Sequence, residues 1–99
     1  MYRSELTNSD YLDLFTDDEI ISSVMKDDYL VEVLADEIRR SISSMDEEEQ
    51  LLFSDLHNND KICQAHNDIY GAMDTVALLL DNGFMAEIVG AIAEDRGDW

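Results

Sequence analysis

Residues 60–81 have the sequence DKICQAHNDIYGAMDTVALLLD, and their apolar side chains recur at steps of three and four residues. This spacing places them on one side of an α-helix. The resulting stripe consists of Ile62, Ala65, Ile69, Met73, Val76 and Leu80. We therefore expect one continuous helix from Asp60 to Asp81, with this stripe buried and with Asn82-Gly83 ending the helix.

Short helices are predicted on both sides of this stretch. Asn8 or Ser9 can cap a first helix, and Thr16 with Glu19 forms a capping-box pattern. Asp27 or Asp28 can cap a third helix, in which Asp36 stands four residues before Arg40, as in a helical ion pair. Residues 44–47 are a second capping-box pattern, and a last helix ends near Gly97. The prediction is an all-α fold: one acidic domain over residues 1–99, made of five to six short amphipathic helices.

The composition excludes several classes of function. The 24 Asp and Glu against six Lys and Arg give a formal net charge of -18, so direct binding to nucleic acid or to an anionic membrane surface is not expected. An apolar content of 45% argues against a disordered acidic tail. With one cysteine, no apolar run long enough to span a membrane and no secretory signal, a cytoplasmic protein is expected.

The candidate contact residues are carboxylates concentrated in the first turns of the predicted helices. One interpretation is helix capping and compensation of the helix dipole. The other is a surface that contacts a partner, since four consecutive acids at residues 46–49 exceed what one helix needs. The candidate partner-binding residues are Asp17, Asp18, Glu19, Asp27, Asp28, Glu32, Asp36, Asp46, Glu47, Glu48, Glu49, Asp60, Asp74 and Asp81.

Charge spacing makes mimicry of nucleic acid physically feasible. Asp60, Asn67, Asp74 and Asp81 are seven residues apart, which would align them along one side of a single helix. A net charge of -18 equals that of ~31 Å of B-DNA. A compact domain of this size would be a sphere ~34 Å across. The alternative for this row is an ordinary solvated helix face.

Neither metal nor catalytic chemistry is supported by a motif. Cys63 and His66 share a helix side with Asp60, but zinc needs three or four ligands and no second pair is present. We expect instead a half-buried Cys63 and a His66 at or near the surface. No phosphate-binding glycine loop or nucleophile motif occurs, so no cofactor and no enzymatic activity are predicted.

The leading hypothesis is an inhibitor that mimics nucleic-acid charge and blocks a basic nucleic-acid-binding protein. In charge and size the chain resembles, as a class, the acidic proteins that phages use against restriction or CRISPR effectors, which implies the host cytoplasm. The alternative is an acidic adaptor that binds a basic helix or patch of a transcription or nucleoid protein through a hydrophobic groove rimmed by charge. A monomer and a homodimer both remain open.

Aromatic residues could anchor either contact or cover the edge of the core: Tyr2, Tyr11, Tyr29, Tyr70 and Trp99.

Overall fold

A computed structural model describes residues 7–97, and these residues form α-helices and one 3₁₀ turn but no strand. The all-α prediction is therefore confirmed, with seven helices in place of the expected five to six. The helices are α1 (Asn8–Leu12), α2 (Asp17–Val24), α3 (Asp28–Ser41), α4 (Glu47–Ser54), α5 (Asn59–Tyr70), α6 (Ala72–Asp81) and α7 (Met85–Arg96), and the 3₁₀ turn spans Ile42–Ser44. Tyr2 and Trp99 lie outside the described residues.

The expected continuous helix over residues 60–81 is wrong, because the chain turns at Gly71. Its backbone angles are φ 90° and ψ 164°, a region that is essentially restricted to glycine. The turn separates α5 from α6 and changes which residues face inward. Ile69 and Met73, expected in the core, are 39% and 69% exposed. The buried residues of the two helices are Ile62, Cys63, His66, Ala72, Thr75, Val76 and Leu79.

The core is built around α3, which packs on α5 and α6. Leu30, Leu34 and Ile38 recur every four residues along α3 and have no exposed surface. α2 closes the other side by packing on α6 and α7, and α7 contributes Ile88, Val89 and Ile92. Burying one such aliphatic side chain contributes ~1.5–3 kcal/mol, so this interior supplies the main driving force for folding.

The helix starts are capped mostly as the sequence predicts. Thr16 and Glu19 form the expected capping box, with N···O distances of 3.0 and 3.2 Å, and Asp27 caps α3. The predicted box at residues 44–47 is wrong. Ser44 belongs to the 3₁₀ turn, whereas Asp46 has the extended backbone that a capping residue needs. Thr7, rather than Asn8 or Ser9, caps α1.

The ion pairs of α3 differ from the expected Asp36–Arg40 pair. Arg40 binds Glu37 at 2.8 Å, and Arg39 lies 3.7 Å from Asp36. Both pairs join residues three positions apart, which are neighbours on a helix as much as residues four apart are.

The chain is longer and thinner than the sphere assumed from its size. Its extents are 46 × 19 × 19 Å.

The predicted helix stops are present: Gly83 and Gly97 have φ angles of 84° and 72°, at the ends of α6 and α7.

Alanine substitutions at Leu34 and Ile69 test the revised core. Leu34→Ala should lower the free energy of unfolding by ~2–5 kcal/mol, because it leaves a cavity in a fully buried site. Ile69→Ala should cost ~1 kcal/mol or less, since Ile69 is partly exposed. Urea denaturation followed by circular dichroism measures both. Equal large losses would mean that Ile69 is buried and that the helix does not turn at Gly71.

A substitution at Gly71 tests the turn itself. Gly71→Ala should destabilise the fold by ~1–3 kcal/mol through backbone strain alone, because a Cβ added there meets no atom within 4 Å. The matched control is a synthetic chain with D-alanine at position 71, which favours positive φ and should keep most of the stability. If the L- and D-alanine proteins unfold at the same urea concentration, the positive φ is not what the fold requires.

Candidate protein-interaction surface

Most of the positive charge is neutralised inside the chain. Four of the five basic side chains among residues 7–97 form ion pairs, each with one carboxylate. The pairs are Lys26–Asp95, Arg39–Asp36, Arg40–Glu37 and Arg96–Glu19. Lys61 has no such pair within the described part of the chain. Because acids outnumber bases so strongly, most carboxylates are left without a cation.

Both ends of α2 are tied to the last turn of α7. At one end Arg96 donates to Glu19 at 2.8 Å, and its guanidinium lies 4.5 Å from the centre of the Phe15 ring. The hydrogen bonds from Thr16, together with Arg96, lower the pKa of Glu19. Glu19 therefore has a structural role, which the capping interpretation predicted.

At the other end of α2, Asp95 accepts hydrogen bonds from two residues. Lys26 Nζ donates at 3.1 Å and the buried Ser23 hydroxyl donates at 3.1 Å. The hydrogen bond from Lys26, followed by that from Ser23, lowers the pKa of Asp95. This carboxylate is consequently charged at neutral pH and holds α7 against α2.

Four more of the candidate residues act within the chain. Asp27 accepts from the Leu30 amide at 3.1 Å and Asp46 accepts from the Glu49 amide at 2.8 Å. Asp36 lies beside Arg39. Burial raises the pKa of Glu49, and its hydrogen bond with Asp46 and the charge of Asp46 add to this effect. These acids serve helix starts and local pairing.

The other nine candidate carboxylates are exposed and form no hydrogen bond or ion pair with any described side chain. They are available to an outside partner, and repulsion among them is not relieved inside the chain. They are Asp17, Asp18, Asp28, Glu32, Glu47, Glu48, Asp60, Asp74 and Asp81.

Two open clefts meet at Asp28, at the start of α3. A cleft of ~420 Å³ lies between α2, α3 and α7 and is lined by Ser23, Lys26, Asp27, Asp28, Tyr29, Ala91, Glu94 and Asp95. A cleft of ~490 Å³ lies between α3 and the start of α5 and is lined by Asp28, Val31, Glu32, His57, Asn58, Asn59 and Asp60.

We call the carboxylates of these two clefts the Asp28 ridge. The ridge consists of Asp27, Asp28, Glu32, Asp60, Glu94 and Asp95. Lys26 is the only lysine or arginine among the described residues that lines either cleft, and it is paired with Asp95. Tyr29, which is 57% exposed, lies in the same surface with its ring 6.4 Å from that of Phe84. The ridge thus combines a strong local negative charge with one aromatic side chain.

Sequence reasoning missed Glu94, Asp95 and His57 as parts of this surface. No local pattern distinguishes Glu94 or Asp95 from any other acid near a helix end. They join the ridge because α7 packs on α2, a contact between residues about 70 positions apart in the chain.

The predicted row of Asp60, Asn67, Asp74 and Asp81 does not lie on one helix. The turn at Gly71 places the first two residues on α5 and the last two on α6. Asn67 also differs from the expected solvated position, because its side-chain oxygen is buried without a hydrogen-bond partner. Only Asp60 of this row belongs to the Asp28 ridge.

Cys63 and His66 are both buried, which corrects the expectation of a half-buried thiol and a surface histidine. Burial raises the pKa of the Cys63 thiol to about 12, and the thiol donates to the Val31 carbonyl oxygen at 3.5 Å. Such a thiol remains protonated and unreactive at neutral pH. Among residues 7–97 no group of three His, Cys, Asp or Glu side chains could hold a metal ion.

His66 forms a buried polar pair with Thr75. The Thr75 hydroxyl donates to the Gly71 carbonyl oxygen at 3.0 Å, so it must accept from His66 Nδ1 at 2.8 Å. The Tyr70 ring lies 4.6 Å from the His66 ring, centre to centre. This arrangement requires a proton on Nδ1 and connects α5 to α6 across the turn.

Within residues 7–97, every helix is too short or too polar to cross a membrane.

Comparison of the chain with protein-family profiles, with curated proteins and with solved structures gives no match.

The buried His66 makes stability depend on pH. Desolvation lowers the pKa of His66 below its ordinary value of 6.5, against the opposing charge of Asp74. A proton then binds the unfolded chain more readily than the folded one, so this contribution to stability is present above pH 6.5 and is lost as pH falls.

Comparison with His66→Gln isolates this effect, because the carboxylates titrate in both proteins. Between pH 7.5 and 5.5 the wild type should lose stability relative to the variant, by at most ~1.4 kcal/mol per pH unit for one proton. Urea denaturation at several pH values measures the difference. A difference that stays constant with pH would show that the burial of His66 does not disfavour its protonation.

Proposed function

We propose that this chain is a non-enzymatic acidic inhibitor that occupies the basic nucleic-acid-binding surface of another protein. The Asp28 ridge is the observation that carries the proposal. It collects six carboxylates from α3, α5, α7 and the residue before α3, with one paired lysine among them. Lysine and arginine side chains that normally contact phosphates would pair with these carboxylates instead.

The physical driving force would resemble that of protein–DNA association. A dense row of negative charge holds counterions, and their release on binding makes affinity fall steeply with salt. Electrostatic attraction would also accelerate the encounter with a basic partner.

The charge density supports a partial rather than a complete match to duplex DNA. Residues 7–97 contain 22 acids and five bases, a formal net charge of -17. Along the 46 Å length this is one net charge per ~2.7 Å, compared with ~1.7 Å in B-DNA. The local density of negative charge is higher where acids are concentrated on one surface, as they are in the Asp28 ridge.

The class-level similarity in charge and size suggests where such an inhibitor would act. Phage proteins directed against restriction or CRISPR effectors need to displace DNA from strongly basic channels. The partner we propose is a basic nucleic-acid-binding protein of this kind, in the host cytoplasm.

Charge reversal on the ridge tests this function against an equal change elsewhere. The test variant carries Asp28→Lys, Glu32→Lys and Asp60→Lys, and the control carries Asp17→Lys, Asp18→Lys and Asp81→Lys. The wild-type chain is first attached to a solid support and incubated with a low-salt extract of the host. The protein that it retains is then identified. Calorimetry measures the affinity of that protein for the wild type and for each variant.

We expect the ridge variant to lose binding while the control, with the same net charge, keeps most of it. Wild-type affinity should fall ~10³-fold between 50 and 200 mM salt if about six charge contacts form. Duplex DNA or the partner's own nucleic acid should compete for the site. The proposal is wrong if saturating nucleic acid leaves the complex intact and both variants bind like the wild type.

A further inference from the structure

α4 is attached to the rest of the chain mainly by one side chain. Phe53 is its only buried residue, and the Phe53 ring lies 6.5 Å from the His66 ring of α5. The helix packs on α5 and on the 3₁₀ turn. Its remaining apolar residues therefore have no place in the core.

The side of α4 opposite Phe53 combines leucine with carboxylates. With 100° per residue, Leu51 lies at the centre of this side, with Glu47, Glu48 and Asp55 around it and Leu52 at its edge. Leu51 is 71% exposed and Leu52 is 57% exposed. We call these five residues the α4 outer face.

The fold gives no reason for two leucines at these positions. An amphipathic surface helix normally turns its apolar residues toward the core, whereas Leu51 points away from Phe53. Beside Leu51 is a shallow cleft of ~310 Å³, lined also by Glu47, Gln50 and Ser54. Leucine beside a cleft offers contact area to an incoming apolar side chain.

Charge decides what can cover this face. A second copy of the chain would bring Glu47, Glu48 and Asp55 against carboxylates of the same kind. Because each molecule has a formal net charge of -18, the two copies would repel each other. A nucleic acid or an anionic lipid surface would be repelled for the same reason. A positively charged partner with apolar side chains fits both components of the face.

We propose that the α4 outer face binds a cationic amphipathic helix of another protein. Apolar side chains of that helix would cover Leu51 and Leu52, and flanking Lys or Arg would pair with Glu47, Glu48 and Asp55. The eight residues of α4 span ~12 Å, which matches about two turns of the incoming helix. This surface differs from the Asp28 ridge because it needs apolar contact in addition to charge.

Two synthetic peptides test this directly. The first is a Leu/Lys peptide of 18 residues with leucine at every third or fourth position. The second has the same composition in an order without an apolar side. Binding to the complete chain is measured by fluorescence anisotropy at ~0.15 and ~0.5 M salt, with Leu51→Gln/Leu52→Gln as the test variant and Asp28→Asn/Glu32→Gln as the control.

The wild type should bind the amphipathic peptide more tightly than the reordered one and retain this preference at the higher salt, where charge is screened. Leu51→Gln/Leu52→Gln should weaken amphipathic binding ~10-fold or more, since burial of one leucine is worth about that factor, and leave the weak reordered-peptide binding unchanged. The ridge control should affect both peptides about equally.

Two results would overturn the inference. One is equal binding of both peptides by the wild type and the leucine variant. The other is a wild-type dimer in sedimentation experiments that the leucine variant abolishes, because a second copy would then cover the face. Circular dichroism of the leucine variant confirms that it remains helical. Failure here leaves the ridge proposal standing, since competition by nucleic acid does not involve Leu51 or Leu52.

Discussion

The arrangement of the second half of the chain depends on the backbone at Gly71. Only a residue without Cβ adopts φ 90° and ψ 164° easily, and this conformation ends α5 and starts α6 with no intervening loop. The turn brings Thr75 within hydrogen-bond distance of both Gly71 and His66. It also turns Val76 and Leu79 into the core on which α2 and α3 pack, while Ile69 and Met73 remain exposed.

The many carboxylates divide into two groups for a simple stoichiometric reason. Four of the seven helix starts use one acidic or hydroxyl acceptor, and four of the five basic residues among residues 7–97 each neutralise one acid. Glu19, Asp27 and Asp46 serve such purposes, and their contribution to stability is local. The acids beyond this requirement stay in solvent, where they raise self-repulsion and would attract a basic partner over a long range.

Two surfaces with different physics result from this division. The Asp28 ridge would bind through charge, with strong dependence on salt, whereas the α4 outer face would bind through leucine contact that persists when charge is screened. A partner that uses both would gain speed of encounter from the first and specificity from the second.

The Phe53 ring, which attaches α4, lies 6.5 Å from the ring of His66, the one buried histidine of the described residues.

Local chemistry could be predicted from the sequence. The all-α class, the capping box at Thr16 and Glu19 and the glycine stops follow from neighbours within four residues, and the excess of acid follows from composition alone. The turn at Gly71 could not, because a glycine within an apolar 3–4 pattern is equally compatible with a continuous helix. Nor could the ridge, since Glu94 lines the same cleft as Asp28 only because α7 packs on α2. Helix periodicity and capping are short-range properties that the sequence determines alone. The clustering of charge and the exposure of Leu51 are properties of packing, and packing depends on contacts between residues far apart in the chain.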